Sequence, residues 1–156
     1  MFTIKSAVIV PIAHIENDYM TRDGIPRQSG MDNSMESRII FEPEYRIPEA
    51  FKGIGECSHI WLIWQFSENL EAGWAPEVHP GGIETSEKKG LFATRSPYRP
   101  NSLGISCVEL VRLEQNPEKG PVLIVRGADL MNGTPVFDVK PYVPFTDCRP
   151  GAGGNF

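Results

Sequence analysis

The chain has 156 residues, 40% of them hydrophobic and 22% charged, a balance that suits one globular domain and excludes a disordered or fibrous chain. A formal net charge of -5 argues against a surface that binds nucleic acid all over, because phosphate contacts need a cationic excess, yet it leaves room for a local basic patch. Cys57, Cys107 and Cys148 are far apart and form no CxxC pair, which argues against a zinc site and fits a reduced, cytoplasmic protein.

Gly (15 residues) and Pro (14 residues) punctuate the chain too often for long helices and favour short strands. Residues 3–15, rich in Val and Ile, predict a buried first strand, too short to cross a membrane and without a leader's cleavage pattern. Residues 17–37 form a long polar loop, of the kind that often carries function. A second strand is expected over 37–41 and a short helix within 43–52, with Pro48 in its first turn. The segment 57–66 is the strongest apolar run and predicts a central strand, with His59 as a hydrogen-bonded core histidine. Residues 76–89 predict a mobile loop, 91–93 a short strand and 94–102 a proline-punctuated loop. Strands over 105–113 and 121–126, joined by the 116–120 turn, and a last strand over 136–139 complete about seven short strands. No strand is followed by an amphipathic helix of standard length and no Gly-x-Gly loop leads from a strand into such a helix, which argues against a doubly wound nucleotide-binding fold. The fold class is all-β, one antiparallel barrel over residues 1–156 with one or two short helices.

Four segments have the residue types for chemistry. Arg95-Ser-Pro-Tyr-Arg-Pro-Asn101 presents two guanidinium forks on a loop stiffened by Pro97 and Pro100, with Lys88 and Lys89 upstream. These cations suit an anionic ligand or, equally, surface ion pairs. Asp129-Leu-Met-Asn-Gly-Thr-Pro135 sets a carboxylate beside a turn at Gly133; alone it is also an ordinary hairpin turn. Gly24-Ile-Pro-Arg-Gln-Ser-Gly30 offers free backbone donors or is a plain surface loop. Asp138, Lys140 and Tyr142 share one face of a strand by the two-residue period, and fit either proton transfer or a salt bridge beside a tyrosine. No metal-ligand spacing is present.

These motifs, with Ser58-His-Ile-Trp61, Gly90-Leu-Phe-Ala-Thr-Arg-Ser-Pro-Tyr-Arg-Pro-Asn-Ser-Leu-Gly104 and Asp138-Val-Lys-Pro-Tyr142, occur in an order that resembles the TsaA-like domain of the TrmO (YaeB) tRNA methyltransferases. The resemblance runs from about Val8 to Pro150. It implies a TsaA-like barrel that binds S-adenosylmethionine, forms a homodimer with the cofactor near the subunit interface, and methylates N6 of N6-threonylcarbamoyladenosine in the anticodon loop of tRNA. It further implies a short form without the additional C-terminal domain of larger relatives. The cofactor positions carried over by motif are Ser29, Gly30, Met31, Ser67, Glu68, Arg95, Ile105, Asp129, Leu130, Met131 and Asn132.

Given that activity, the acceptor nitrogen is weakly nucleophilic beside a ureido carbonyl and needs proton removal or a directing hydrogen bond, for which Asp138 and Tyr142 are the candidates. Arg27, Lys88, Lys89 and Arg99 would meet the threonyl carboxylate or phosphates, and Tyr98 would stack on an unpaired base. A small-metabolite or protein acceptor, or a non-catalytic S-adenosylmethionine-binding module, are the alternatives.

Overall fold

The structure, a computed structural model, describes residues 6–154. It is mostly β with a few short helical turns. The strands are β1 (Ala13–Glu16), β2 (Glu36–Phe41), β3 (His59–Gln65), β4 (Glu77–Val78), β5 (Lys89–Gly90), β6 (Leu103–Asn116), β7 (Gly120–Arg126) and β8 (Pro135–Pro141). Six of them close into a hydrogen-bonded ring in the order β1-β2-β7-β6-β3-β8, and every neighbouring pair is antiparallel. Strands β4 and β5 pair separately as a small ribbon.

Strand alternation builds the core. In β3, Ile60, Leu62 and Trp64 turn inward and are buried, while His59, Trp61, Ile63 and Gln65 face outward. Ile15, Ile39, Leu123, Val125, Leu130 and Val136 fill the same interior. Each such side chain contributes roughly 1.5–3 kcal/mol on burial. A smaller cluster of Ile40, Val122 and Ile124, with Val111 against it, lies apart from this core.

Several expectations are corrected. His59 is exposed on the outer face, with Nδ1 3.0 Å from Ser58 Oγ; alternation, not the apolar run, decides its side. The first strand is Ala13–Glu16, and Val8, Ile9 and Val10 are exposed. Pro11 has no N–H for a ladder, which begins only where Ile12 N–H donates to the Val136 carbonyl at 2.8 Å. Residues 3–5 of that predicted strand lie outside the described residues. The expected helix over 43–52 is two 3₁₀ turns, Pro43–Tyr45 and Pro48–Phe51. Leu91–Ala93 is a 3₁₀ turn rather than a strand, since the Thr94 N–H and hydroxyl both return to the Leu91 carbonyl. The two strand residues there are Lys89–Gly90. After β8 the chain forms one helical turn, α1 (Pro144–Asp147).

One feature of the register positions the site. Strand β6 pairs β3 over 103–109 and β7 over 109–116. The edge of its first half that faces away from β3 therefore has no strand beside it.

Candidate functional site

That open edge is covered by the loop before β2. Ser29 Oγ accepts from the Cys107 N–H at 3.2 Å, and Gly30 N–H donates to the Gly127 carbonyl at 2.9 Å. Gly30 and Gly127 both hold positive φ, 78° and 79°. A Cβ on Gly127 would lie 2.4 Å from Asn33 Oδ1 and 3.2 Å from the Gly30 backbone, which with its positive φ favours glycine there. By the two-residue period, Ile105 directs its main-chain N–H and C=O to the same edge as Cys107. The Ile105 side chain is 48% exposed.

Asp129 follows just after β7. Its Oδ1 accepts from the Ser106 hydroxyl in a short hydrogen bond, and Ser106 Oγ in turn accepts from Trp64 Nε1 at 2.9 Å. Burial pushes the Asp129 carboxyl above its ordinary value. Four opposing influences hold the shift in check: the Ser106 hydroxyl, its own backbone N–H, the Arg95 guanidinium and the Ser29 N–H. Arg95 Nη1 donates to Gln28 Oε1 at 2.7 Å, which draws the arginine loop to the first loop. The loop's exit is fixed by Ser102, buried and left-handed at φ 50°, whose N–H returns to the Arg99 carbonyl at 3.1 Å. A non-glycine residue there stores backbone strain beside the site.

Ser29, Gly30, Arg95, Ile105 and Asp129 thus meet around one end of β6. The remaining residues that the resemblance assigned to the cofactor divide differently. Met31 is exposed. Leu130 is fully buried, and its carbonyl accepts from Asn17 Nδ2 at 2.9 Å. Asn132 Oδ1 accepts from the Asn17 N–H at 3.0 Å, and the Met131 carbonyl closes the turn to Thr134 N–H at 3.1 Å. Leu130 and Asn132 secure the 129–135 turn against residues 17–19, the Asn132 N–H also donating to the Tyr19 carbonyl at 2.8 Å. Ser67 opens a 3₁₀ turn, and Glu68 is paired with Arg22.

Among the residues assigned to substrate, Arg27 is exposed beside Gly81, Lys88 is exposed, and Lys89 sits on the ribbon. Tyr98 is 40% exposed. Arg99 Nη1 donates to the Thr94 carbonyl at 2.8 Å and to the Leu91 carbonyl at 3.5 Å, so one nitrogen of this guanidinium braces its own loop.

Asp138 and Tyr142 lie on the outer face of β8 and its exit. Asp138 Oδ2 is 2.9 Å from Lys140 Nζ, the ion pair weighed above. Its register partner on β3 is Ile63, which pairs onward with Ile105, so Asp138 lies about 10 Å from the open edge at ~4.8 Å per strand. The Tyr142 ring contacts Trp61 at 5.8 Å and His59 at 6.3 Å. Loss of water, then the neighbouring Cys148 thiol, raises its pKa, so the phenol stays protonated at neutral pH.

Sequence reasoning missed Ser106, Trp64, Gly104 and Gln28. A signal existed for Ser106: it is a polar residue at an inward position of an apolar strand, and such groups need a partner. Among the described residues no group of His, Cys, Asp or Glu could hold a metal, and no helix is long and apolar enough to cross a membrane.

Residues 14–148 match the sequence model of the tRNA-methyltransferase O N-terminal domain. The tRNA (adenine(37)-N6)-methyltransferase of Escherichia coli K12 is 36% identical over 146 residues, 93% of this chain and 61% of that protein. A probable S-adenosyl-L-methionine-binding protein of Pyrococcus abyssi is 38% identical over 139 residues, 89% of this chain and 70% of that protein. A crystal structure of TrmO superposes with a TM-score of 0.78 at 34% identity, over 96% of this chain and 63% of that one. The chain thus spans about three-fifths of the length of the E. coli protein.

Proposed function

The chain belongs to the tRNA-methyltransferase O N-terminal domain family, and from that premise we propose that it binds S-adenosylmethionine and methylates N6 of adenosine 37 in tRNA, with N6-threonylcarbamoyladenosine as the acceptor. The observation that carries this reading is the meeting of Asp129, Arg95 and the unpaired edge of β6 at one place. The donor set fits the cofactor's chemistry. The Asp129 carboxylate would accept from the ribose hydroxyls, the Arg95 fork would meet the amino-acid carboxylate, and the Ile105 backbone would meet a planar ring edge.

S-adenosylmethionine supplies, when bound, an activated methyl group on a positively charged sulfur. The residues around it align the two reactants and exclude water. Asp138 would take the proton that N6 must lose, and the protonated Tyr142 hydroxyl would direct the acceptor by a hydrogen bond. Arg27, Lys88, Lys89 and Arg99 would face the threonyl carboxylate or phosphates, and Tyr98 would stack on an unpaired base. We read the six-stranded ring as a single antiparallel barrel and the active protein as a cytoplasmic homodimer. Exposed Met31, Phe92 and Ile105, on the segments around the site, are the apolar surface a second copy would cover.

The net charge of -5 favours one second reading, a small-molecule or protein acceptor with the same cofactor. Calorimetry with S-adenosylmethionine tests the shared part. Wild type should bind, and Arg95→Ala should bind roughly 10- to 100-fold more weakly, the effect of losing a charge-assisted hydrogen bond. Nucleoside mass spectrometry of tRNA from a deletion strain then separates the acceptors; unchanged N6-methylated threonylcarbamoyladenosine would remove the tRNA role.

A further inference from the structure

Beneath the proposed cofactor site runs a row of hydrogen bonds whose direction chemistry fixes. An indole N–H can only donate, so Trp64 Nε1 donates to Ser106 Oγ at 2.9 Å. A serine hydroxyl has one proton. With that oxygen already accepting from Trp64, the Ser106 O–H points to Asp129 Oδ1. Both Ser106 (0% exposed) and Trp64 (6% exposed) are out of reach of bulk water. The order is therefore Trp64 to Ser106 to Asp129.

The origin of the row is held by packing. A Cβ on Gly104, the register partner of Trp64 on β6, would lie 2.5 Å from two atoms of the indole, so the ring packs directly against the bare Gly104 backbone. Phe66 packs edge-on against the Trp64 indole, with ring centroids 4.3 Å apart. We propose that Ser106, oriented by Trp64, is a positioning residue that fixes one oxygen of the Asp129 carboxylate and leaves the other turned to the ribose hydroxyls of S-adenosylmethionine. The proposal rests on the cofactor reading above. A carboxylate on a turn, held by a directed bond from a rigid strand besides the Ser29 N–H and its own, needs little reordering when ligand arrives.

The pH dependence of binding tells this role from a merely structural one. The groups facing Asp129 are the Ser106 hydroxyl from β6, the Arg95 guanidinium from the arginine loop, the Ser29 N–H from the first loop and its own N–H. Burial raises this carboxyl and the Ser106 hydroxyl opposes the rise. Without that hydroxyl the acid form persists to higher pH, so the acid limb of cofactor affinity should move up in pH.

The experiment is calorimetry with S-adenosylmethionine on the full chain across a pH series, for wild type, Ser106→Ala, Trp64→Phe and the double variant, with urea midpoints as the folding control. Ser106→Ala should bind roughly 10- to 100-fold more weakly at neutral pH and shift its acid limb upward. Trp64→Phe frees the hydroxyl to rotate, so it should weaken binding by a smaller factor and shift the limb in the same direction. In the Ser106→Ala background it should add nothing further to affinity, the non-additivity expected of one connected row. If Ser106→Ala does not fold, Trp64→Phe carries the test alone through its affinity and its acid limb. Wild-type binding with variants of unchanged affinity and limb, or effects that simply add, overturns this inference and leaves the cofactor reading standing. No binding by wild type overturns both.

Discussion

Replacing Gly104 with Ala tests how tightly the fold and the site are joined. The new Cβ would lie 2.5 Å from Cε2 and Cζ2 of Trp64 and 2.9 Å from Cδ2. Carbon contacts prefer about 3.5–4.0 Å, so ring or strand must withdraw by about 1 Å. Overpacking of this kind costs about 1–3 kcal/mol. Loss of glycine's freedom in the unfolded chain returns about 0.4–1 kcal/mol, because Gly104 is not among the positive-φ residues and alanine can adopt its backbone. At the middle of each range a net loss of about 1.3 kcal/mol remains, which at about 2–4 °C per kcal/mol for a chain of this size lowers Tm by roughly 3–5 °C. The same withdrawal moves Nε1, which is bonded to Cε2, away from Ser106 Oγ. A bond of 2.9 Å stretched by about 1 Å is no longer a hydrogen bond. Urea denaturation and S-adenosylmethionine calorimetry should therefore both register the substitution. A variant as stable as wild type within about 0.5 kcal/mol, with the same affinity, would refute the argument that the indole is clamped against β6.

Two further predictions concern carboxylates of opposite sign. The folded Asp129 carboxyl is raised by burial, so it binds a proton over a pH window where the unfolded chain has already lost it, and wild type loses stability as pH climbs through that window. Asp129→Asn does not titrate there. Its stability relative to wild type, whatever the fixed offset, should improve from pH 4 upward until the raised value is passed; a flat difference in urea midpoints across the series would count against the raised, half-buried carboxyl. Asp147 is the reverse case, held below the ordinary range first by the Val143 N–H and then by Trp61 Nε1, which donates to Oδ2 at 2.8 Å. Its stabilising effect is present above the ordinary carboxylate range and fades as pH falls through the folded value. Trp61→Phe should raise the Asp147 value part of the way back in a carboxyl NMR titration, and no movement would mean the indole bond is not made in solution.

How much of this was legible in the sequence depended on whether local pattern or pairing decided the outcome. Period-2 alternation is local, and β2, β6, β7 and β8 fall close to where the Val- and Ile-rich runs place them. His59 shows the limit. Its apolar neighbours mark a strand, but which side faces inward is set by pairing with β6 and β8, and that is a non-local fact. The apolar residues Val8, Ile9 and Val10 read as core for the same reason, and Pro11 separates them from the ladder. The meeting of Ser29, Arg95 and Asp129 had no local signature either, since motif order relative to a known family, not spacing, put them together. Arg95 and Arg99 are chemically alike on one short loop, yet one reaches Gln28 across the site and the other binds the carbonyls of Thr94 and Leu91.

The location of the site follows from an unequal division of β6. A strand of fourteen residues is longer than either of its neighbours, at seven each, so it cannot be paired on both edges throughout. Strand β7 ends at Arg126, and the chain turns away through Gly127 at positive φ. From there it carries Asp129 across the very stretch of β6 that β7 has left. The vacated edge must find hydrogen-bond partners, because backbone groups left unpaired away from water are costly. The 24–31 loop meets part of that need through Ser29. The remainder, at Ile105, is the part the proposed cofactor would meet. The feature that ends one strand pairing early is the same one that brings a half-buried carboxylate, a guanidinium and a strand edge without a β partner together. Extending β7 by two paired residues would therefore close the site while leaving the rest of the ring's pairing in place.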